Sequence, residues 1–69
     1  MDGVVITTRD INGYKLQHFI EWDRVCTYIQ EKGFTDEDEI LMITVEGTCI
    51  YSGLTSPAIT WEDVTGFFA

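Results

Sequence analysis

The sequence predicts a small α+β fold in which a single domain, residues 1–69, follows the order ββαββα. Three features predict this fold: an Asn-Gly pair between two β-type segments, an amphipathic stripe after them, and a second pair of β-type segments joined by Glu-Gly. A chain of 69 residues has room for one domain only. We therefore expect a four-stranded, mainly antiparallel sheet with one main helix packed on a face and a short C-terminal helix.

The first two strands are predicted to form a β-hairpin around Asn12-Gly13. Asn-Gly is the strongest short-range hairpin signal, because both central residues of a type I′ turn need a positive φ. A two-residue loop opposes Ile11 to Tyr14, Val5 to Ile20 and Asp10 to Lys15. The period of two along a strand then places Tyr14, Leu16, His18 and Ile20 on one face.

A long helix from residue 14 is the alternative interpretation of the same region. The side chains that share one helical stripe are Trp22, Val25, Cys26 and Ile29. When the helix is extended backwards, Ile20 falls about 160° from that stripe, on the solvent side. We therefore place the helix at residues 21–32 and keep residues 14–20 as a strand. Gly33 follows as a C-terminal cap residue.

The second hairpin is predicted around Glu46-Gly47, where β-branched residues flank the turn. Its first strand, residues 40–45, is apolar on both faces. Leu41, Ile43 and Val45 share one face, and Ile40 and Met42 share the other. Such a strand is usually covered on both sides or lies in the interior of a sheet.

The last segment begins like a helix at Thr60. Thr60 is a good N-cap residue, and Asp63 three positions later forms an acidic version of the capping box. Ile59 and Val64 occupy the two positions of a hydrophobic staple. Gly66 predicts a helix of one or two turns, and Trp61 is expected in the core.

The acidic residues are concentrated in the second half of the chain. Residues 1–32 hold five acids and four bases, whereas residues 33–69 hold seven acids and no Lys, Arg or His. The net charge is −8. We expect such a chain to be repelled by nucleic acid and anionic membranes and attracted to basic proteins.

The acid run at residues 36–39 has three interpretations. It lacks the spacing and the sixth-position Gly of an EF-hand calcium loop. It could keep the neighbouring apolar strand soluble, as flanking charges commonly do. It could instead dock on Lys and Arg of a partner, because alternate residues of an extended segment lie about 6.6–6.8 Å apart, close to the spacing of phosphates along a nucleic-acid strand.

The predicted partner-binding residues combine these acids with two aromatic residues near the chain end. They are Asp36, Glu37, Asp38, Glu39, Glu46, Glu62, Asp63, Phe67 and Phe68. At least one of the two phenylalanines is expected to pack on a partner or on a second copy, since both are hard to bury together.

No motif indicates catalysis, a cofactor or a metal site, and we expect a non-enzymatic protein. A thiol–imidazole pair between His18 and either Cys26 or Cys49 has no support from the spacing. Both cysteines are interpreted as reduced, buried and inert, which is typical of a cytoplasmic protein. The acidic start of the chain and the absence of a long apolar run favour the same location.

In size and acidity the chain resembles small phage-encoded inhibitors that mimic nucleic acid. That resemblance implies docking on a basic surface of a nucleic-acid-handling protein, without direct contact to nucleic acid or membrane. The alternative is an accessory or scaffold domain with an apolar partner or self-association surface, such as a homodimer, whose charge serves only solubility. Salt separates the two, because acidic docking weakens steeply with ionic strength.

Overall fold

Four antiparallel strands form one open sheet in the computed structural model, which describes residues 3–68. The strands are β1 (Gly3–Arg9), β2 (Lys15–Glu21), β3 (Glu39–Val45) and β4 (Thr48–Ser52), in the spatial order β2-β1-β3-β4. A 3₁₀ turn (Trp22–Arg24) leads into helix α1 (Val25–Lys32), and helix α2 (Trp61–Phe68) follows β4. This architecture confirms the predicted α+β fold and the choice of strand for residues 14–20.

The register of the first hairpin differs from the prediction by one residue. Val4, not Val5, lies opposite Ile20, and Arg9 lies opposite Lys15. The reason is Asp10, whose carboxylate accepts the backbone N–H groups of two loop residues at 2.9 Å each. This local bonding favours a longer loop closed by the backbone N–H of Asp10 and the carbonyl of Tyr14. The shift turns Val4 into the core and Val5 away from it.

Strand β3 lies in the sheet interior, as its apolar sequence predicted, but its two faces are not those predicted. An extra residue, Leu41, interrupts the pairing with β1 between Met42 and Ile40. This bulge changes the alternation of side chains. As a result Ile40 and Ile43 are both buried, while Met42 is 37% exposed.

The second hairpin confirms the predicted turn. Val45 lies opposite Thr48, so that Glu46 and Gly47 form a two-residue loop. Their φ angles are 51° and 82°, which is the left-handed conformation that a type I′ turn requires at both positions. Glu46 adopts this conformation although it is not glycine, and its backbone N–H donates to the carbonyl of Gly3 at 2.8 Å.

Both helices pack on the same face of the sheet. The helix side chains in the core are Val25, Ile29, Trp61 and Val64, and the strand side chains are Val4, Ile6, Ile20, Ile40, Ile43 and Tyr51. Trp22, which was predicted to belong to this stripe, is 46% exposed because it lies in the 3₁₀ turn and packs edge-on against Phe68.

The predicted cap of α2 is present. The backbone N–H of Thr60 donates to the Asp63 carboxylate at 3.1 Å, and the backbone N–H of Asp63 donates to the Thr60 hydroxyl at 3.2 Å. These reciprocal bonds satisfy backbone donors at the start of the helix. The helix continues through Gly66 to Phe68, so both phenylalanines belong to it.

The cysteines are free, but they are less buried than predicted. Cys26 is half-buried on α1, and Cys49 is exposed on β4. Cys49 lies opposite Thr44, whose side chain points away from the helices because its neighbour Ile43 points into the core. The expectation of a buried thiol is therefore wrong for Cys49.

Neither helix among residues 3–68 has the length and apolar character that crossing a membrane requires.

Candidate functional site

The acid run does not form the extended segment that the phosphate spacing requires. The backbone N–H of Asp38 donates to the carbonyl of Thr35 at 3.0 Å, which closes a tight turn over residues 35–38. The Asp38 carboxylate accepts the backbone N–H of Thr35 at 3.2 Å and holds the turn from the other side. We call residues 35–38 the acid turn. Because the turn is compact, this segment does not present carboxylates at the spacing of phosphates along a nucleic-acid strand.

A cleft separates the acid turn from the beginning of α2. Its volume is about 290 Å³. The residues that give it polar and aromatic walls are Asp36, Asp38, Glu39, Thr60 and Trp61, and we call this the acidic cleft. Tyr51 and Ile40 also line it. Glu62 and Asp63 follow directly after Thr60 and Trp61 of the cleft wall, so the first turn of α2 brings two further carboxylates to the same end of the molecule.

The four acids of the run differ in how far they are already paired. The Arg9 guanidinium donates to the Glu39 carboxylate at 2.6 Å, and Asp38 holds the acid turn. Asp36 and Glu37 are exposed, and within residues 3–68 no basic side chain forms an ion pair with either of them. These two carboxylates are therefore the ones most available to an external cation.

The remaining predicted site residues lie elsewhere. Glu46 is at the opposite end of β3 from Glu39, about 20 Å away at the rise of a β-strand. Phe67 and Phe68 are at the far end of α2, where Phe67 is 53% exposed and Phe68 packs against the core. The acids at residues 36–39, 62 and 63 thus form one group, whereas Glu46 and the two phenylalanines do not join it.

A packed aromatic group stands behind the acidic cleft. The Phe34 and Trp61 rings are stacked with centroids 4.1 Å apart and planes 6° from parallel. Trp61 is 8% exposed, and its indole N–H is buried without a hydrogen-bond acceptor in the described part of the chain. This stacked pair connects the start of α2 to the residue that precedes the acid turn.

His18 belongs to a hydrogen-bonded network rather than to a thiol pair. Its Nε2 lies 3.0 Å from the Thr8 hydroxyl, and its Nδ1 lies 2.9 Å from the Tyr28 hydroxyl. Phe34 packs edge-on against the imidazole. Burial lowers the pKa of His18 below its ordinary value of 6.5, the nearby Lys32 lowers it further, and Asp38 opposes the shift. The network links β1, β2 and α1 and gives both ring nitrogens of His18 a hydroxyl partner.

This environment predicts a pH-dependent stability. The unfolded chain takes up the His18 proton near pH 6.5, whereas the folded chain resists it until a lower pH, so the free energy of unfolding should fall as pH drops below about 6.5. Urea denaturation at about pH 7.5 and about pH 5.5 should show a larger loss for the parent than for His18→Gln. Equal losses for the two proteins would contradict this role of His18.

Sequence reasoning missed the uncovered face of the sheet. Phe19 on β2 is 74% exposed there, and Leu54, after β4, is 93% exposed. A shallow groove of about 420 Å³ lies on this face, bordered by Thr7, Met42 and Leu54. The sequence signal for this face was Phe19, because side chains alternate along a strand and Phe19 therefore points to the opposite side from His18 and Ile20.

Comparison with protein-family models, with curated proteins and with solved structures gave no match. Within residues 3–68, no three His, Cys, Asp or Glu side chains converge to form a group that could hold a metal ion.

Proposed function

We propose that this chain is a non-enzymatic, acidic protein-binding module that docks on a basic surface. The observation that carries the proposal is the acid turn, whose exposed Asp36 and Glu37 carboxylates have no ion-pair partner within residues 3–68. They lie at the same end of the molecule as the acids of the acidic cleft and of the first turn of α2. Bringing like charges together raises the local negative potential, and a partner rich in Lys and Arg relieves that repulsion.

The partner class in this proposal is a nucleic-acid-handling protein, which the module inhibits by occupying a phosphate-binding groove. The support is the net charge of −8 together with the absence of any base in residues 33–69. Binding to such a groove is favoured because fixed carboxylates replace its counterions, which are released. The free cysteines agree with a cytoplasmic location, which we keep as part of the proposal.

Part of this charge also has a structural use. Negative groups near a helix N-terminus are stabilising, typically by about 0.3–1 kcal/mol each at exposed positions. Glu62 and Asp63 lie in the first turn of α2, and the acidic cleft places Asp36 and Asp38 beside that turn. This stabilisation of the helix explains the acids near α2. It does not explain Glu37, which is exposed and lies outside the cleft wall.

The test of docking is a charge-neutralising pair in the acid turn, Asp36→Asn with Glu37→Gln. Proteins captured from a cell lysate by the immobilised parent are titrated against parent and variant at low and high salt. We expect the variant to lose about 0.5–3 kcal/mol of binding free energy for each contact removed. High salt should weaken the parent in the same way. For a mimic of nucleic acid, a DNA duplex should compete with the parent for the captured partner.

The matched control is Asp23→Asn with Glu46→Gln, which changes the net charge equally at positions outside the acidic cleft. We expect this control to bind almost as tightly as the parent. If the acid-turn variant binds as tightly as the parent at low salt, the docking proposal fails.

The second candidate is an accessory or scaffold module that binds through the uncovered face of the sheet. The specific support is the exposure of Met42 and Leu54, which both border the shallow groove, together with the exposure of Phe19 elsewhere on the same face. Large exposed apolar side chains that lie together often mark a binding surface. Binding through this face would be insensitive to salt and would be lost on Leu54→Ser rather than on the acid-turn substitutions.

A further inference from the structure

The two edges of the sheet differ in how well they are protected. Strand β4 has five residues, and its pairing with β3 is interrupted by an extra residue, Ile50. A short, bulged edge strand is a poor template for another strand. Strand β2 has seven residues and pairs with β1 in one continuous register. Among residues 3–68, the outer edge of β2 is therefore the regular edge that has no partner strand.

The free backbone groups of β2 belong to its odd-numbered residues. Asp10 donates its backbone N–H to Tyr14, which lies in register with the pairs Thr8–Leu16, Ile6–His18 and Val4–Ile20. Since hydrogen bonding alternates along an antiparallel strand, even-numbered residues of β2 bond to β1 and odd-numbered residues point outward. The bond from Glu46 to Gly3 agrees, because odd-numbered residues of β1 then bond to β3.

The sequence of β2, KLQHFIE, is complementary to itself when two copies run antiparallel. Centred on His18, this arrangement opposes Lys15 to Glu21, Leu16 to Ile20 and Gln17 to Phe19 of the second copy. The opposed odd-numbered pairs are those whose backbone groups point outward, so they form the hydrogen-bonded pairs of the new ladder. A single charge on an edge strand repels a second copy, but opposite charges at symmetric positions attract it.

The helix beside β2 carries the same complementarity. A groove of about 220 Å³ runs along this edge, lined by Ile20, Arg24, Tyr28 and Glu31 among others. Tyr28 stands over His18 through their 2.9 Å hydrogen bond, so the two-fold axis at His18 passes beside Tyr28. Arg24 lies four residues before Tyr28, and Glu31 lies three residues after it. The two-fold axis beside Tyr28 therefore brings Arg24 of one copy towards Glu31 of the other.

The groove also has an apolar occupant in this arrangement. Leu16 is 53% exposed in the single chain. In the centred register Leu16 of the second copy lies opposite Ile20, at the groove wall. Association therefore covers an exposed leucine on each copy.

We propose that the chain forms a two-fold symmetric homodimer in which β2 pairs with β2 of a second copy and the two sheets become one eight-stranded sheet. The Lys15–Glu21 pairs at both ends fix the register, and the Arg24–Glu31 pairs flank it. This proposal is independent of the acid turn, which lies outside the β2 edge.

The test uses sedimentation equilibrium of the full chain and of two single charge reversals, Lys15→Glu and Glu21→Lys. We expect the parent to sediment at twice its 7.9 kDa mass at micromolar to submillimolar concentration. Each reversal alone should weaken the dimer by roughly tenfold or more, because two attractive pairs become two repulsive ones. An equimolar mixture of the two reversals should regain parent-like affinity, since opposite charges then face each other at both ends of the mixed dimer.

The controls separate this register from other modes of association. Glu62→Lys changes the net charge as Glu21→Lys does but lies on α2, so it should leave the dimer intact. Slowed amide exchange of Gln17 and Phe19 on dimerisation would identify the edge directly. A monomeric parent throughout the concentration range, or a mixture of reversals that stays monomeric, would overturn the proposal. A parent monomer that gains a strand only from another protein would do the same.

Discussion

Replacing Ile43 by alanine is expected to lower the free energy of unfolding by about 2–5 kcal/mol. Ile43 is fully buried and lies on β3, with Ile6 opposite it on one side and Tyr51 on the other. The truncation removes apolar area from the centre of the core and leaves a cavity that strands on both sides hold open. A 69-residue domain has only about 3.5–10 kcal/mol of stability in total. The variant should therefore be partly unfolded near physiological temperature.

Met42→Ala is the matched control for this experiment. Met42 is the next residue on the same strand but is 37% exposed on the uncovered face. Its truncation should cost less than about 1 kcal/mol, as surface substitutions usually do. Urea denaturation followed by circular dichroism gives both values. Similar losses at the two positions would show that the β3 faces are assigned wrongly.

Replacing Trp61 by alanine is expected to cost about 3–5 kcal/mol. The substitution removes a side chain that is 8% exposed and that stacks on Phe34, and it separates α2 from the acid turn. Trp61→Phe should cost much less. It keeps an aromatic ring against Phe34, and it removes an indole N–H that is buried without an acceptor among the described residues, a penalty of about 1–3 kcal/mol.

The comparison between the two Trp61 variants decides what holds α2 in place. Phe67→Ala, in the same helix but 53% exposed, controls for a general effect on α2. Thermal and urea denaturation measure all three variants. Equal losses for Trp61→Ala and Trp61→Phe would show that ring stacking contributes little, and that the indole itself makes the important contacts.

The element order was predictable because each element has a local chemical signal. Gly33 adopts φ 65° and ends α1, Thr60 and Asp63 begin α2, and Glu46 with Gly47 forms the predicted turn. These signals act over four residues or fewer, so a single sequence displays them. The one-residue error in the register of the first hairpin also has a local cause. The Asp10 carboxylate binds loop N–H groups and competes with the preference of Asn-Gly for a two-residue turn.

The faces and the site were harder to predict because they depend on pairing between distant segments. The Leu41 bulge arises where β1 meets β3, more than thirty residues apart in the chain, and it decides that Ile40 points inward. The grouping of the acid run with the first turn of α2 likewise needs the tertiary fold. The position of Glu46 at the other end of β3, by contrast, followed from the predicted strand at residues 40–45.

The interior position of β1 has a consequence for how the protein is made. β1 is the first strand of this sheet to be synthesised, yet its second neighbour, β3, is complete only at Val45. Until that residue has left the ribosome, the emerging β1–β2 hairpin has an open inner edge and an unfinished core. Pairing over such a sequence separation slows folding, because the intervening loop must close first. The sheet as a whole is complete only at Ser52, the last residue of β4, which lies about three quarters of the way along the 69 residues.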